Sequence, residues 1–196
     1  MSPTIEILIQ KISRLPGLGP RSARRIVLHL IQNRERSLEP ILSGLQKVRD
    51  EVKKCPECGN VDVFQQTCPV CGDIARKHDV ICIVESVSDL WAIERTSCYR
   101  GQYHVLNGLL SSVDGRGPEF LRLDKLKERC EKNSVNEIII ALSATVEGQT
   151  TSHYIKSFFP KESKVKITSL ARGIPVGGEL DYLDDGTLFT AFSERS

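Results

Sequence analysis

The sequence lacks the features that would place the chain in a membrane or give it a dominant charge. Its 196 residues contain no uninterrupted apolar run long enough for a membrane-spanning helix. Glu6 interrupts the first helical pattern, so the N-terminus does not resemble a signal peptide. A formal net charge of +2 does not by itself indicate a nucleic-acid partner, and 40% hydrophobic residues exclude a disordered chain. We therefore expect a folded cytoplasmic protein with no membrane partner.

The charge that is present is unevenly distributed along the chain. Residues 1–54 contain 11 lysines and arginines against 5 acidic residues, a net of +6, whereas residues 55–196 contain 16 against 20, a net of −4. Because a basic segment attracts phosphate, the N-terminal part is the better candidate for contact with nucleic acid. Solvated helix faces also produce such an asymmetry, so charge alone does not decide the point.

Two amphipathic helical patterns flank a short glycine-containing turn near the N-terminus. Residues 15–25 read LPGLGPRSARR, with apolar residues at helical spacing on both sides. Gly17 and Gly19 can both adopt a positive φ and bring the backbone close to a ligand, while Pro20 fits the first position of the second helix. The N–H groups at that helix start form an anion site, which the helix dipole strengthens. The pattern predicts a helix-hairpin-helix.

Three arginines follow this turn and supply positive charge for a phosphate site. Arg21 and Arg25 lie four residues apart on one helix face, where their guanidinium groups can flank the same phosphodiester. A helical hairpin with a glycine connector and a solvated basic face fits the same residues equally well. The candidate DNA-binding residues are Gly17, Gly19, Arg21, Arg24 and Arg25.

Four of the seven cysteines form two CxxC knuckles, the most specific pattern in the sequence. Nine residues separate the two pairs, and a glycine follows each pair. Two such knuckles bring four thiolates together, as in a tetrahedral structural zinc site with no open coordination position. Disulfide bonds or a thioredoxin-like redox pair are the alternatives, although a cytosolic setting disfavours disulfides. The predicted metal ligands are Cys55, Cys58, Cys68 and Cys71.

From residue 80 onwards, apolar runs alternate with helical patterns. Strands are predicted at 80–84, 103–106, 137–142 and 165–168, with helices between them. This alternation favours an α/β domain with a mostly parallel sheet. A further short strand is predicted at 187–192, after an Asp-Gly turn signal.

Three acidic residues follow the predicted strands of this domain. Glu85 and Asp89 come after the first strand and Glu147 after the third, so we expect them to gather at the carboxyl edge of the sheet. Clustered carboxylates there can hold Mg²⁺. Asp89 also suits a helix N-cap and Glu147 a first helical turn, so structural roles are the alternative.

Taken in order, these motifs closely resemble the RecR family of bacterial recombination mediators. The resemblance rests on LPGLGPRSARRI, the two cysteine knuckles, VESVSD, TVEG and IPVGGEL. It implies a mixed α/β chain of four parts. These are a helix-hairpin-helix region at 1–54, a four-cysteine zinc finger at 55–72, a Toprim domain at 78–170 and a C-terminal subunit-joining segment at 171–196.

The resemblance also implies a function in DNA repair and recombination. RecR proteins form ring tetramers or dimers that bind single- and double-stranded DNA without sequence preference. With RecO and RecF they load the RecA recombinase at single-stranded gaps. By this resemblance the DNA contacts fall on Arg21 and Arg25, the zinc ligands on the four knuckle cysteines, and RecO or Mg²⁺ binding on Glu85, Asp89 and Glu147. A nucleoid-associated cytoplasmic location follows.

The chain departs from related sequences just before its TVEG motif. Ser143-Ala144 stands where the family usually has Asn-Pro. Catalytic Toprim domains carry an Asp-x-Asp pair at positions that correspond here to Ser143 and Thr145, and neutral hydroxyls are poor ligands for two Mg²⁺ ions. We therefore expect no enzyme activity. The alternatives are a metal-dependent nuclease or primase-like enzyme that uses Glu85 and Glu147, and a scaffold with little DNA contact of its own.

Overall fold

The chain divides after Val52 into two units in the computed structural model, which describes residues 2–159, 164–171 and 173–193. The first unit begins with helix α1, Pro3–Ser13, and helix α2, Pro20–Gln32. Ile9 of α1 packs on Ala23 and Val27 of α2. The predicted helix-hairpin-helix is confirmed.

A π-helical segment, Arg34–Leu38, connects α2 to helix α3, Glu39–Glu51. The described residues of this unit bury no side chain of α3, although the helix carries apolar residues at helical spacing. This α3 stripe is between 45% and 61% exposed and consists of Ile41, Leu42, Leu45 and Val48.

The second unit opens with the cysteine knuckles and continues as an α/β domain. Strands β1 and β2 form a small sheet, and the main sheet has the order β4-β3-β5-β6 with every neighbouring pair parallel in the described part of the chain. The strands are β1 (Val52–Lys54), β2 (Val61–Val63), β3 (Lys77–Val84), β4 (Gly101–Val105), β5 (Glu137–Ala141) and β6 (Lys166–Ser169). The helices are α4 (Pro69–Gly72), α5 (Val87–Thr96), α6 (Leu123–Lys132), α7 (Val146–Phe158) and α8 (Asp185–Ser193).

Both faces of the main sheet are covered, which explains why residues 80–84 of β3 and 138–141 of β5 are all apolar. Ile81 and Ile83 of β3 face a cluster that includes Leu126 of α6 and Ile155 of α7. Cys82 of β3 faces the opposite cluster, with Leu90 of α5. All four predicted strands of the sheet are confirmed, and parallel pairing places their carboxyl ends at one edge.

The strand predicted at 187–192 is wrong, because these residues form part of α8. Thr187, Leu188 and Phe189 favour a strand by composition. Asp184 overrides that preference by capping the helix. One of its carboxylate oxygens accepts a hydrogen bond from the Thr187 amide at 3.0 Å, and the other accepts one from the Thr187 hydroxyl at 2.6 Å. The Asp-Gly signal therefore marks a helix start.

Candidate nucleic-acid interface and metal centre

The turn between α1 and α2 is closed by a hydrogen bond from the Leu18 amide to the Leu15 carbonyl at 3.1 Å. Gly17 has a φ of +75°, a conformation that favours glycine. Gly19 has a φ of −91°, so the predicted freedom to adopt a positive φ is used at Gly17 and not at Gly19. A Cβ at either position would have no heavy atom within 4 Å, so the surface of the turn is open.

The start of α2 leaves its first amides available. Among the described residues no side chain caps this helix, and its first turn contains no acidic residue. The first helical hydrogen bond runs from the Ala23 amide to the Gly19 carbonyl at 2.9 Å, which leaves the amides of Arg21 and Ser22 ahead of it. These amides and the positive end of the helix dipole form a site that favours an anion.

The three arginines lie on the exposed side of α2. Ala23 and Val27 are fully buried against α1, whereas Arg21, Arg24 and Arg25 are exposed. None of the three arginines forms an ion pair within the described part of the chain. The structure thus places unneutralised cations beside an uncapped helix start.

The four knuckle cysteines converge on one point. Their sulfur atoms all lie within 4.8 Å of one another, and the Sγ atoms of Cys58 and Cys68 are 3.5 Å apart. Tetrahedral zinc with Zn–S bonds of about 2.3 Å requires sulfur atoms roughly 3.8 Å apart, so these residues fit a zinc ion. Among the described residues they are the only group of three or more potential ligands gathered in this way.

The four thiols of this cluster differ in pKa. Hydrogen bonds from Cys58, Cys68 and Cys71 lower the pKa of Cys55 well below that of a free thiol. Hydrogen bonding to Cys55, Cys58 and Cys68, followed by burial, raises the pKa of Cys71. A divalent cation would stabilise all four thiolates together, because it supplies the positive charge that the thiols themselves lack.

The backbone around the first knuckle is shaped to turn the sulfurs inward. The Gly59 amide donates to the Cys55 carbonyl at 3.0 Å, and Gly59 has a φ of +87°. The Asn60 amide then donates to the Cys58 sulfur at 3.3 Å. In the second knuckle the Gly72 amide donates to the Cys68 carbonyl at 3.0 Å. The glycine after the first pair is therefore required by its backbone conformation.

The knuckles are also attached to strand β4, which is an edge of the main sheet. The outward-facing amide of Val105 donates to the Cys58 carbonyl at 2.8 Å. The side-chain amide of Gln102 donates to the Val70 carbonyl at 3.3 Å. From α5, the Trp91 indole donates to Asn60 Oδ1 at 3.1 Å. The cysteine module thus covers a strand edge that would otherwise present unpaired backbone groups.

Helix α6 and the residue that precedes it add a cationic contact to the first knuckle. Arg122 donates to the Pro56 carbonyl at 3.1 Å. Glu57 lies 3.6 Å from the Lys125 ammonium and 3.8 Å from the Arg129 guanidinium. Sequence reasoning missed these contacts. The only signal was the spacing of three cations along one helix face, which is equally typical of a solvated surface.

His104 lies beneath this contact and is unsuited to catalysis. The side chain is fully buried, and burial, followed by the nearby charges of Arg129 and Arg122, lowers its pKa to about 3. A histidine held neutral in this way cannot exchange a proton near pH 7.

The remaining three cysteines do not join the cluster. Cys82 and Cys130 are buried, and burial is the main cause that raises the pKa of Cys82 to about 12 and that of Cys130 to about 11. Cys98 is exposed at the end of α5 and accepts a hydrogen bond from the Thr96 hydroxyl at 2.9 Å.

The three predicted acidic residues lie at the carboxyl edge of the sheet in separate settings. Burial, followed by repulsion from Asp89, raises the pKa of Glu85, and Arg116 opposes the shift. Asp89 accepts hydrogen bonds from the Ser86 amide at 2.9 Å and hydroxyl at 2.7 Å. The first of these and the hydrogen bond from the Asp89 amide to the Ser86 hydroxyl, at 3.4 Å, form a capping box at the start of α5. Glu147 is exposed in the first turn of α7. Among the described residues, these carboxylates do not come within metal-ligand distance of one another as a group.

Hydroxyl groups occupy the positions where catalytic Toprim domains carry aspartates. Ser143 Oγ and Thr145 Oγ1 are 3.0 Å apart. Thr145 is the N-cap of α7 and accepts a hydrogen bond from the Gly148 amide at 3.2 Å. This hydroxyl therefore has a structural role as the N-cap of α7.

Comparison with known proteins places the chain in a family. The RecR helix-hairpin-helix family matches residues 5–48, the Toprim domain family residues 79–171 and the RecR C-terminal family residues 173–196. Proteins named Recombination protein RecR from Bradyrhizobium sp. (strain ORS 278) and Azorhizobium caulinodans are each 53% identical to the chain over 194 residues, 99% of this chain and 96% of each relative. The chain belongs to the RecR family. A RecR protein from Maricaulis maris is 52% identical with the same coverage.

Membership of the RecR family confirms the resemblance drawn from the sequence motifs. The matched ranges place the helix-hairpin-helix on α1 and α2 and the Toprim domain on the main sheet. The four-cysteine cluster lies between them along the chain. None of the described helices combines the length and the apolar composition that a membrane-spanning segment requires.

Removal of one thiolate should cause loss of the metal and weaken the hydrogen bond between the first knuckle and the edge strand β4. We expect Cys58→Ser to lose bound metal, measured by elemental analysis of purified protein, because three thiolates and a hydroxyl bind zinc less well than four thiolates. We also expect the Val105 amide to exchange its hydrogen at least about tenfold faster, because its acceptor is the carbonyl of residue 58.

Cys98→Ser is the matched control, since it removes an exposed thiol outside the cluster. That variant should retain its metal and the protection of Val105. Full metal content and unchanged exchange in Cys58→Ser would contradict the assignment.

Proposed function

We propose that this RecR-family protein is a non-catalytic DNA-binding mediator of recombinational repair, which acts with RecO and RecF to load RecA at single-stranded gaps. The observation that carries the proposal is the uncapped start of α2, flanked by Arg21, Arg24 and Arg25 with no ion-pair partners among the described residues. Family membership and the name Recombination protein RecR of its relatives support the same role. The functional divisions are 1–54 for DNA, 55–72 for zinc, 78–170 for the Toprim domain and 171–196 for joining subunits.

Backbone amides and arginines bind the sugar-phosphate chain and do not contact base edges. Such contacts give affinity without sequence preference, on single- or double-stranded DNA. Gly17 and Gly19 let the phosphate approach the amides, and Arg21 and Arg25 flank it. One hairpin offers few contacts, so a subunit alone binds weakly and several hairpins in one assembly bind strongly.

Self-association into a ring tetramer or a dimer is supported by apolar surface in both units. The residues of the α3 stripe are between 45% and 61% exposed, and the described part of the chain buries none of them. Near the C-terminus, Tyr182 is 83% exposed, Phe189 74% and Phe192 70%. Large apolar side chains that are this exposed are typical of subunit interfaces.

A structural zinc ion at Cys55, Cys58, Cys68 and Cys71 belongs to the same proposal. It is supported by the four-thiol geometry and by the attachment of the knuckles to β4. When bound, the ion would supply a tetrahedral cross-link within the first residues of the second unit.

The acidic carboxyl edge of the Toprim sheet is proposed to bind a basic partner such as RecO. Glu85, Asp89 and Glu147 lie along this edge, and acidic groups attract a basic surface. Mg²⁺ is the alternative occupant, and the separation of the three carboxylates favours the protein partner.

Removal of the two flanking arginines should weaken DNA binding and its dependence on salt. We expect the double variant Arg21→Ala, Arg25→Ala to bind an unstructured oligonucleotide at least about tenfold more weakly at low salt. The salt slope should be smaller by roughly 0.7 for each phosphate that the variant no longer neutralises. Fluorescence anisotropy across a salt series measures both quantities.

The matched control removes the same charge elsewhere, as Lys127→Ala with Lys132→Ala on α6. It should change the affinity and the slope little. Equal reductions in both double variants would place DNA binding outside the hairpin.

A charge placed in the α3 stripe should disrupt self-association. Leu45→Glu introduces a carboxylate at a residue that is 61% exposed, so the fold of the subunit should survive while the mass measured by light scattering falls. Ser43→Glu adds the same charge on the opposite face of α3 and should leave the mass unchanged. DNA affinity should fall together with the mass. A monomer that binds DNA as tightly as the assembly would contradict joint binding by several hairpins.

A strand-nicking assay with Mg²⁺ and Mn²⁺ separates the mediator from a metal-dependent nuclease or primase-like enzyme. We expect no cleavage above background, because Ser143 and Thr145 offer neutral hydroxyls in place of carboxylate ligands. Sustained cleavage that disappears in Glu147→Ala would establish the enzyme instead.

A further inference from the structure

Strand β6 forms the second edge of the main sheet, and its outer hydrogen-bonding groups differ from those of the first edge, β4, in having no backbone partner among the described residues. The amides of Lys166 and Leu170 donate to the Asn136 and Ile140 carbonyls, at 2.8 Å and 3.3 Å, on the side of β5. Because strand groups alternate in direction, the amides of Ile167 and Ser169 face away from β5. No strand pairs with this outer side among the residues that the structure describes.

The opposite edge shows how this chain covers a strand from within. There the outward amide of Val105 donates to Cys58, and the cysteine module occupies the space beside β4. No comparable hydrogen bond reaches the outer amides of β6 from the described residues. One edge is therefore covered by the chain itself, and the other is left for a partner.

A polar cleft lies beside the end of β6. A cavity of about 350 Å³ lies between one face of α7 and the residues at and just after the end of the strand. Two further cavities, of about 230 Å³ and 540 Å³, share lining residues with it and extend the cleft past the start of α7 to α8. The first cavity is lined by Gln149, Ser152, His153, Lys156, Ser169 and Leu170.

Three lysines lie around this cleft and edge. Lys156 on α7, Lys164 just before β6 and Lys166 at its start form no ion pair with any described residue. Two described carboxylates lie nearby, since Glu137 accepts a hydrogen bond from the Thr168 hydroxyl at 2.8 Å and Asp184 caps α8 where that helix lines the cleft. The positive charge is therefore concentrated at the three lysines. Edge lysines also oppose pairing between two copies of the same edge, because like charges would then meet.

We propose that the outer edge of β6 and the adjoining α7 cleft bind an extended acidic peptide of a partner protein. The peptide adds a strand to the sheet through the outward groups of Ile167 and Ser169. Its carboxylates lie near Lys156 and Lys166, and its side chains enter the cleft. This surface uses neither the hairpin arginines nor the carboxylates of Glu85, Asp89 and Glu147, so the inference does not depend on the proposed DNA contacts.

The test uses the full protein and a short fluorescent peptide in which valine alternates with aspartate. We expect it to bind at least about tenfold more tightly than the same peptide with lysine in place of aspartate. Amide NMR shifts on binding should centre on Ile167 and Ser169. Charge reversal in Lys156→Glu with Lys166→Glu should weaken binding by about tenfold or more, whereas Lys127→Glu with Lys132→Glu on α6 should not.

A matched pair at one position distinguishes strand addition from charge attraction alone. Ser169→Pro removes an outward amide that β5 does not use, and an edge strand tolerates proline there. It should weaken acidic-peptide binding by about tenfold, while Ser169→Ala, which keeps the amide, should bind within about twofold of the original protein.

Three results would overturn the proposal. These are equal affinity for the acidic and basic peptides, equal binding by the Ser169 variants, and amide shifts centred away from β6. Binding of a single-stranded oligonucleotide that is abolished in Lys156→Glu with Lys166→Glu, without peptide binding, would assign the cleft to nucleic acid. None of these outcomes bears on the Arg21 and Arg25 test, so the two proposals fail separately.

Discussion

The hydrogen bond between the Val105 amide and the Cys58 carbonyl connects the cysteine module to the main sheet of the second unit. These two parts are stabilised in different ways. On one side of it, four sulfurs within 4.8 Å impose the path of a segment that has little apolar core of its own. On the other side, a parallel sheet is stabilised by apolar clusters on both faces. Because Gly59 turns beside Val105 with a φ of +87°, the knuckle can approach the strand closely enough to make this bond. The outer edge of β4 therefore keeps this hydrogen bond only while the cysteine module is folded.

Much of this architecture was predictable because its determinants are local. Ile81 and Ile138 are fully buried within runs of consecutive apolar residues, and such runs can be recognised in the sequence without knowing which elements pack on them. The knuckles were predictable because metal coordination fixes ligand type and spacing together. The hairpin was predictable from Gly17, whose conformation few other residues adopt, and from the apolar periodicity of α1 and α2.

The features that the sequence did not predict have a common cause, which is that they depend on contacts between particular side chains. The residues predicted as a strand at 187–192 instead belong to α8, which Asp184 caps through its side chain. Arg122 and Glu57 take part in their contacts only because the fold brings the first knuckle to α6. Asp89 was expected either at a metal or partner site or at a helix start, and its capping box with Ser86 confirms the position at a helix start. The amino-acid sequence can indicate which residues are candidates, but it does not give the direction in which their side chains point.

The distribution of the seven cysteines has a practical consequence for covalent chemistry on this protein. Buried Cys82 and Cys130 are held as protonated thiols, and a bound metal would mask the four knuckle sulfurs. Cys98 is exposed, so a maleimide dye should attach there selectively while the metal is in place. Each subunit thus carries a natural attachment point for energy-transfer measurements of spacing between protomers, and dye uptake above one equivalent would report loss of metal.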